Sequence, residues 1–411
     1  MIDLKFLREN PGLIQKSASD KGVEIDIAHI LEIDKKFQEL SSSVQKLREE
    51  RNRLAKERNI EEGKNLKVRL EKEEQSAKAV EEELRNYLLK IPNPASGDVK
   101  VGKSDEKNEV VREEGKPTKF NFTPRDHLEI GEKLDIIDIE RASKVSGTRF
   151  AYLKNDGALL EFAIVQFAFE LLIKEGFIPI VPPVLIKKEI MQNLGYMENG
   201  GEEDMFRLPE DDMVFVGTAE QSIVPMHKDE VFGRSDLPKR YVGFSSSFRR
   251  EAGSYGKDTK GILRVHQFDK VEMVSFTSAE NDDREHEYLL SLEEKLWQAL
   301  EIPYQVVKMA TGDLGFPVAR KYDLEAWIPS QNKYREVTST STTTDFQARR
   351  LNIKYQDGED KKFAHILNGT AYAVGRTIVA ILENYQQEDG SVLVPEVLQK
   401  YVGKSVIKVN K

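Results

Sequence analysis

Between residues 30 and 54, apolar side chains recur at alternating spacings of three and four: Ile30, Ile33, Phe37, Leu40, Val44, Leu47 and Leu54. Such spacing keeps them on one stripe of a helix, the seam of a coiled coil. A second run, Leu66, Leu70, Ala77, Val80, Leu84, Tyr87 and Ile91, keeps the rhythm and breaks it once, at Glu73. Turn residues fill Asn59-Ile60-Glu61-Glu62-Gly63-Lys64-Asn65 between the runs. The pattern predicts one antiparallel helical hairpin about 45 Å long, at ~1.5 Å per residue. Its seams bury against each other and little else, and its second helix, counted from Leu66, is the shorter. The hairpin ends at Pro92-Asn93-Pro94-Ala95-Ser96-Gly97, and a polar stretch to about residue 115 reads as a linker.

Beyond residue 116 the texture changes. Leu159, Phe162, Ala163, Ile164, Val165, Phe167, Ala168, Phe169, Leu171 and Leu172 predict a long helix buried on much of its surface, and Ile178–Pro183 a strand closed by prolines. Strand-like runs recur at Tyr241–Phe248, Leu263–Phe268, Glu272–Phe276 and Tyr334–Thr338, and Ala373–Asn384 reads as a strongly apolar helix. Strands in succession between framing helices indicate an α+β fold with an antiparallel sheet rather than a doubly wound parallel one. The expected division is an N-terminal domain over 1–107, with its arm at about 28–91, and a second domain over 108–411.

Charge sharpens this picture locally. The net charge of −9 argues against indiscriminate nucleic-acid binding. The first arm's tip, however, carries Lys46, Arg48, Arg51, Arg53, Lys56 and Arg58 against only Glu49, Glu50 and Glu57. That stretch is either a solvated helix with internal ion pairs or a surface that tracks phosphates. Cysteine is absent and the six histidines are scattered, which excludes disulfides and thiolate metal sites. No apolar run is long enough to span a membrane, and Met1-Ile2-Asp3-Leu4-Lys5 is no signal peptide, so a cytoplasmic location is expected.

Four strings carry candidate chemistry. Gly97-Asp98-Val99-Lys100-Val101-Gly102-Lys103-Ser104 spells a phosphate loop, but a proline-broken segment precedes it and no apolar helix follows, so the match reads as coincidence. Phe248-Arg249-Arg250-Glu251 and Arg264-Val265-His266-Gln267-Phe268 flank a Gly253–Gly261 loop, and an arginine there can fork onto a phosphate or carboxylate. Asn368-Gly369-Thr370 reads as a tight turn, and Arg376, inside an apolar helix, needs an anion. In Arg335-Glu336-Val337-Thr338-Ser339, a carboxylate and a hydroxyl could share a magnesium ion.

Together these strings resemble the motifs of class II aminoacyl-tRNA synthetases. Residues 159–183 resemble motif 1, Phe248–Glu251 and Arg264–Glu272 motif 2, and Asn368–Gly390 motif 3. The variants resemble the seryl-tRNA synthetase family: Gly217-Thr218-Ala219-Glu220, Arg249-Arg250-Glu251-Ala252-Gly253-Ser254, Asp345-Phe346-Gln347-Ala348-Arg349-Arg350, Glu383-Asn384-Tyr385-Gln386 and Pro395-Glu396-Val397-Leu398. The hairpin and the Ile91-Pro92-Asn93-Pro94 exit match as well, so the likeness covers nearly the whole chain.

The resemblance implies that serine is activated with ATP to seryl-adenylate and pyrophosphate, then passed to the 3′-terminal adenosine of tRNA(Ser), with tRNA(Sec) as a second candidate. Implied ATP-site residues are Arg249, Arg250, Glu251, Val265, Phe268, Glu336, Val337, Thr338, Ser339 and Arg376. Within that set Arg249 and Arg376 are catalytic, gripping the α-phosphate and the γ-phosphate end. Glu251 reads the adenine amino group, Phe268 lies under the ring, and Glu336 and Ser339 hold Mg²⁺. Thr218, Ala219, Glu220, Arg249, Glu272 and Thr370 line the serine pocket. The arm binds tRNA through Lys46, Arg48, Arg51, Arg53, Lys56 and Arg58, and the state is a homodimer.

Two departures stand out. Many members carry Ser-Cys-Ser where this chain has Ser339-Thr340-Ser341, and Thr370 stands where serine is common. A ligase loading a carrier protein would be expected to lack the arm. An inert coiled-coil interaction protein should have lost Arg249, Glu336 or Arg376, and all three are present.

Overall fold

The computed structural model describes residues 1–57, 59–252, 258 and 260–409; Arg58, Gly253 and Ser254 lie outside them. The chain divides into two compact units, Met1–Pro94 and Ala95–Lys411. That division falls before the expected linker's polar stretch because residues past Pro94 dock on the second unit. Ser96 N donates to Ala319 O at 2.9 Å, and Val99 packs with Val307 and Met309. Strand β1 (Glu109–Glu114) then pairs with the sheet. All six of its residues are exposed, so no alternation of apolar and polar residues betrays it.

The first unit holds short helices α1 (Leu4–Glu9) and α2 (Pro11–Asp20) and the hairpin α3 (Ile27–Glu57) and α4 (Ile60–Leu89). The hairpin's helices are 31 and 30 residues long, so the second is shorter by a single residue and the two arms are all but equal. It begins at Ile60 because Asn59 caps it. Asn59 Oδ1 accepts from Glu62 N at 3.3 Å, and Asn59 Nδ2 donates to Glu62 Oε2 at 2.7 Å. Gly63 and Asn65 therefore sit inside the helix rather than in the turn. The seam has two parts. Toward the tip, Val44, Leu47, Leu54, Leu66 and Leu70 meet only one another and Ala77. At the base, Ile30, Ile33, Val80 and Leu84 also enclose Leu7 of α1 and Ile14 of α2, a packing the heptad pattern does not reveal.

In the second unit, an eight-stranded sheet is framed by helices α5 (His127–Lys133), α6 (Asp156–Lys174), α7 (Asp282–Ala299) and α8 (Val374–Asn384). Its further strands are β2 (Ile178–Ile180), β3 (Lys239–Phe248), β4 (Gln267–Thr277), β5 (Tyr304–Lys308), β6 (Arg320–Ile328), β7 (Lys333–Thr342) and β8 (His365–Ala373). The order is β1-β5-β6-β7-β8-β4-β3-β2; all pairings are antiparallel except β2 with β3. This is the expected α+β architecture.

Two local readings change. Asn368-Gly369-Thr370 lies within β8 rather than in a turn, with Gly369 opposite both Met273 and Thr340. Its glycine serves close packing, since a Cβ there would stand 2.9 Å from Glu293 Oε1 of α7. Residues 263–266 are not a strand, because β4 begins at Gln267. Helix α6 buries Leu160, Ala163, Ile164, Ala168 and Leu172 but leaves Leu159, Phe162 and Ile173 46%, 65% and 46% exposed. The Gly97–Ser104 string meets no α-helix: a 3₁₀ turn at Asp105–Lys107 follows, and Gly102 O accepts from Gly312 N at 2.7 Å.

Candidate active site

One face of the sheet carries a cleft of about 170 Å³. Arg249, Glu251, Val265, Phe268, Glu336, Val337, Thr338, Ser339, Thr370 and Arg376 all line it, although they come from five separate stretches of sequence. Arg250 does not: it is exposed, with its guanidinium 5.7 Å from the Phe206 ring.

Strand geometry alone would not build this face. Side chains alternate along a strand, so residues three apart point to opposite sides. Glu336 and Ser339 are three apart, as are Thr370 and Ala373, yet all four line the cleft. Two β-bulges account for this. On β7, Glu336 stands opposite Glu325 and Thr338 opposite Leu324, which leaves Val337 as the extra residue. On β8, Thr370 stands opposite Glu272 and Tyr372 opposite Val271, which leaves Ala371 unmatched. Each bulge resets the alternation, turning Ser339 into the site beside Glu336 and Ala373 beside Thr370.

The cleft and the buried pocket beside it differ in charge. At one end, Arg376 Nη1 lies 3.0 Å from Glu336 Oε2 and donates to Glu336 O at 2.9 Å. Lys321 lies 2.9 Å from Asp323 Oδ1, and the Arg249 guanidinium sits 5.4 Å from the Phe268 ring centre. Burial would raise the Glu336 carboxyl, but Arg376, Lys321 and Arg249 outweigh it and hold it at about 2. Arg249 is aimed by the neighbouring segment, donating from Nη2 to Gly217 O at 3.2 Å. Glu251 is paired at 2.5 Å with Arg264.

Next to the other end lies a buried, acidic pocket. Glu272, with no exposed surface, pairs with Lys270 Nζ at 2.6 Å and accepts from Thr370 Oγ1 and Asn368 Nδ2, each at 3.1 Å. Glu220 accepts from the Tyr196 hydroxyl at 2.8 Å and Gln347 Nε2 at 3.1 Å. Burial, reinforced by the charge of Glu272, pushes its carboxyl up to about 7. Thr218 and Ala219 are buried beside it in sequence, and Thr218 Oγ1 has no hydrogen-bond partner among the described residues. Thr218, Ala219, Glu220 and Glu272 are not among the cleft's lining; Thr370, which does line it, touches Glu272.

The hydroxyl run at the family's Ser-Cys-Ser position knits strands together. Thr340 Oγ1 donates to Asn368 O at 2.9 Å, and Ser341 Oγ donates to Asn368 Oδ1 at 2.6 Å. Sequence reasoning missed Lys270, Lys321, Asp323 and Asn368. Lys270 lay inside a string already singled out. Lys321 and Asp323 carried a signal of their own, since with Glu325 they place charges at alternate positions between the apolar Tyr322, Leu324 and Ala326. On the arm, Lys46, Arg48, Arg51, Arg53 and Lys56 are all exposed along α3, and Arg58 lies outside the described residues. No group of three or more His, Cys, Asp or Glu poised for a metal occurs among the described residues. Glu336 and Ser339 nonetheless offer hard oxygen donors on one face, which fits an Mg²⁺ held mainly by phosphates.

An antiparallel sheet with one arginine just past the end of β3 over the cleft face, and a second on helix α8, defines a class II aminoacyl-tRNA synthetase core. The family described as tRNA synthetase class II core domain (G, H, P, S and T) matches residues 206–385, and the seryl-tRNA synthetase N-terminal domain matches residues 1–95. Serine–tRNA ligases of Dictyoglomus turgidum and Thermobifida fusca are 42% and 45% identical to this chain. They cover 100% and 99% of it and the same shares of their own lengths. The crystal structure of seryl-tRNA synthetase from Pyrococcus horikoshii complexed with ATP superposes with a TM-score of 0.93 at 37% identity, covering 100% of both chains. The chain belongs to the seryl-tRNA synthetase family.

Proposed function

We propose that the cleft joins L-serine to ATP, forming seryl-adenylate and releasing pyrophosphate, and that the seryl group then passes to the 3′-terminal adenosine of tRNA(Ser). The division of charge between the cleft and the buried pocket beside it carries the reading: cations where phosphates would lie, buried carboxylates where an ammonium and a hydroxyl would lie. The serine carboxylate is itself the nucleophile, so no general base is required, and catalysis rests on positioning and charge neutralisation.

In this reading Arg249 holds the serine carboxylate against the α-phosphate and stabilises the charge that builds there. Arg376 neutralises the γ-phosphate end. Phe268 stacks on the adenine, Glu251 accepts from its amino group, and Val265, Val337 and Thr338 wall the nucleotide. Arg250, exposed beside Phe206, is given no contact with ATP. Glu336 and Ser339 would hold Mg²⁺, which supplies charge neutralisation to the phosphates when bound. Glu272, with Thr370, and Glu220, with Thr218 and Ala219, receive the substrate's ammonium and hydroxyl. A pocket built to bond a hydroxyl rejects analogues lacking it by roughly 10⁴-fold, whereas threonine is excluded by its extra methyl.

Lys46, Arg48, Arg51, Arg53 and Lys56 would neutralise tRNA phosphates. A second copy of the chain would cover Leu159, Phe162 and Ile173, an exposed apolar face that supports a homodimer. A cytoplasmic location belongs to the same proposal, as does tRNA(Sec) as a further substrate. The deciding experiment is amino-acid-dependent ATP–pyrophosphate exchange with magnesium and serine, threonine, alanine or glycine. Exchange with serine alone is expected; folded protein that exchanges with none of them would refute the reading.

A further inference from the structure

The string Glu383-Asn384-Tyr385-Gln386 is left without a task by the chemistry above. Its polar side chains grip the segment leading into α5. Asn384 Oδ1 accepts from Thr118 Oγ1 at 2.7 Å, and Gln386 Oε1 accepts from Arg125 N at 2.9 Å. Glu383, fully buried, accepts at Oε1 from His127 N at 3.1 Å and at Oε2 from Ser330 N at 3.0 Å. The same Oε1 lies 3.1 Å from His127 Nδ1.

On the other side of this buried imidazole, Nε2 lies 3.2 Å from Ile262 N. An amide nitrogen only donates, so Nε2 accepts and the ring proton sits on Nδ1, facing Glu383. Ile262 and Leu263 line the cleft immediately before Arg264, which pairs with Glu251. The preceding residue, Gly261, has φ of +78°, and a Cβ there would fall 2.0 Å from His127 Nε2. Only glycine lets the backbone turn this closely onto the ring.

We propose that His127 is a positioning residue for the nucleotide. Its Nε2 pegs the chain where it returns to the cleft, setting where Ile262, Leu263 and Arg264 stand, and Glu383 fixes the ring's tautomer and orientation. The inference rests on reading the cleft as the ATP site.

Two near-isosteric variants separate this role from general packing. The side-chain oxygen of His127→Gln reaches the place of Nε2 and can still accept from Ile262. The amide of His127→Asn reaches only the place of Nδ1, keeping Glu383 and losing the peg. In the full chain, H127N should raise KM for ATP about 3- to 10-fold, the loss of one buried hydrogen bond. KM for serine should stay within about twofold, and the ATP-induced rise in Tm should shrink. H127Q should restore KM for ATP to within about twofold of the parent. Gly261→Ala, which crowds the same nitrogen, should behave as H127N does and gives a second route if H127N does not fold. Unchanged KM for ATP in both H127N and G261A, or equal loss in H127N and H127Q, would overturn the proposal. A parent protein without serine-dependent exchange would instead sink the reading of the cleft.

Discussion

The arm and the cleft both gather lysines and arginines, yet they use them in opposite ways. On α3, Arg48 meets Glu74 at 2.7 Å with side chains 57% and 36% exposed, and Arg53 lies 3.7 Å from Glu50. Such pairs are screened by water and contribute little to stability. The arm is held by its seam, and its cations remain available to a ligand. At the cleft's buried edge, Lys270 and Glu272 are 8% and 0% exposed at 2.6 Å, so neither can be removed without stranding the other. An exposed cation can thus be altered to test binding alone. A buried one tests binding and fold together, and needs a stability measurement beside it.

The largest effect expected from that contrast is at Arg249. Arg249→Ala should lower serine-dependent exchange by about 10³-fold, because its charge stabilisation is aimed at the reacting phosphate. Near-normal exchange in a folded variant would show that the cleft, like the arm, tolerates loss of a cation. Next comes the combined change of Lys46, Arg51, Arg53 and Lys56 to Ala. It should weaken tRNA charging about 10- to 100-fold near physiological salt and flatten the salt dependence, while exchange stays within about twofold. Equal loss of both activities would mean that the arm's charges support the fold after all.

A smaller effect follows from Glu220, whose carboxyl burial holds up to about 7. Only the ionised form binds an ammonium, so KM for serine should fall as pH rises through about 7, by up to about tenfold per unit below it. Because the folded value lies above the ordinary one, ionisation also lowers the serine-free protein's stability as pH rises through the same window. Glu220→Gln should abolish both trends. Smallest for catalysis is Leu70→Ala in the arm's tip. It should cost about 2–5 kcal/mol of local stability, read by hydrogen exchange along α4, and leave pyrophosphate exchange unchanged. A fall in exchange there would show the two regions to be coupled.

The two regions also differ in how far they could be read in advance. The seam of α3 and α4 is local information, since each apolar position depends only on its spacing from the next. The cap at Asn59 escaped because Gly63 and Asn65 are turn residues by composition, and the hydrogen bonds to Glu62 outweigh them. The packing of Leu7 and Ile14 on the hairpin's base depends on a return of the chain that no period records. In the second unit, short strings pointed to most of the residues that line the cleft. Their arrangement was hidden because it rests on pairings between distant strands. Gly369 looked like a turn until Glu293 of α7 was placed beneath it. Lys321 entered the cleft only through β6, a strand absent from the sequence reading.

The extra residue at Val337 makes the site a matter of parity. Counting along β7, Glu336 and Ser339 share a side only because one position between them goes unmatched. Loss of Val337 would remove the unmatched position and leave the two groups two apart in a regular strand, still on one side, whereas straightening the strand at its present length would send one of them through the sheet, away from the nucleotide. The side each group faces is therefore set by the pairing as well as by the count of residues. Deletion of Val337 should thus keep both groups on the nucleotide's side, and a change that straightens the strand without shortening it should do more harm.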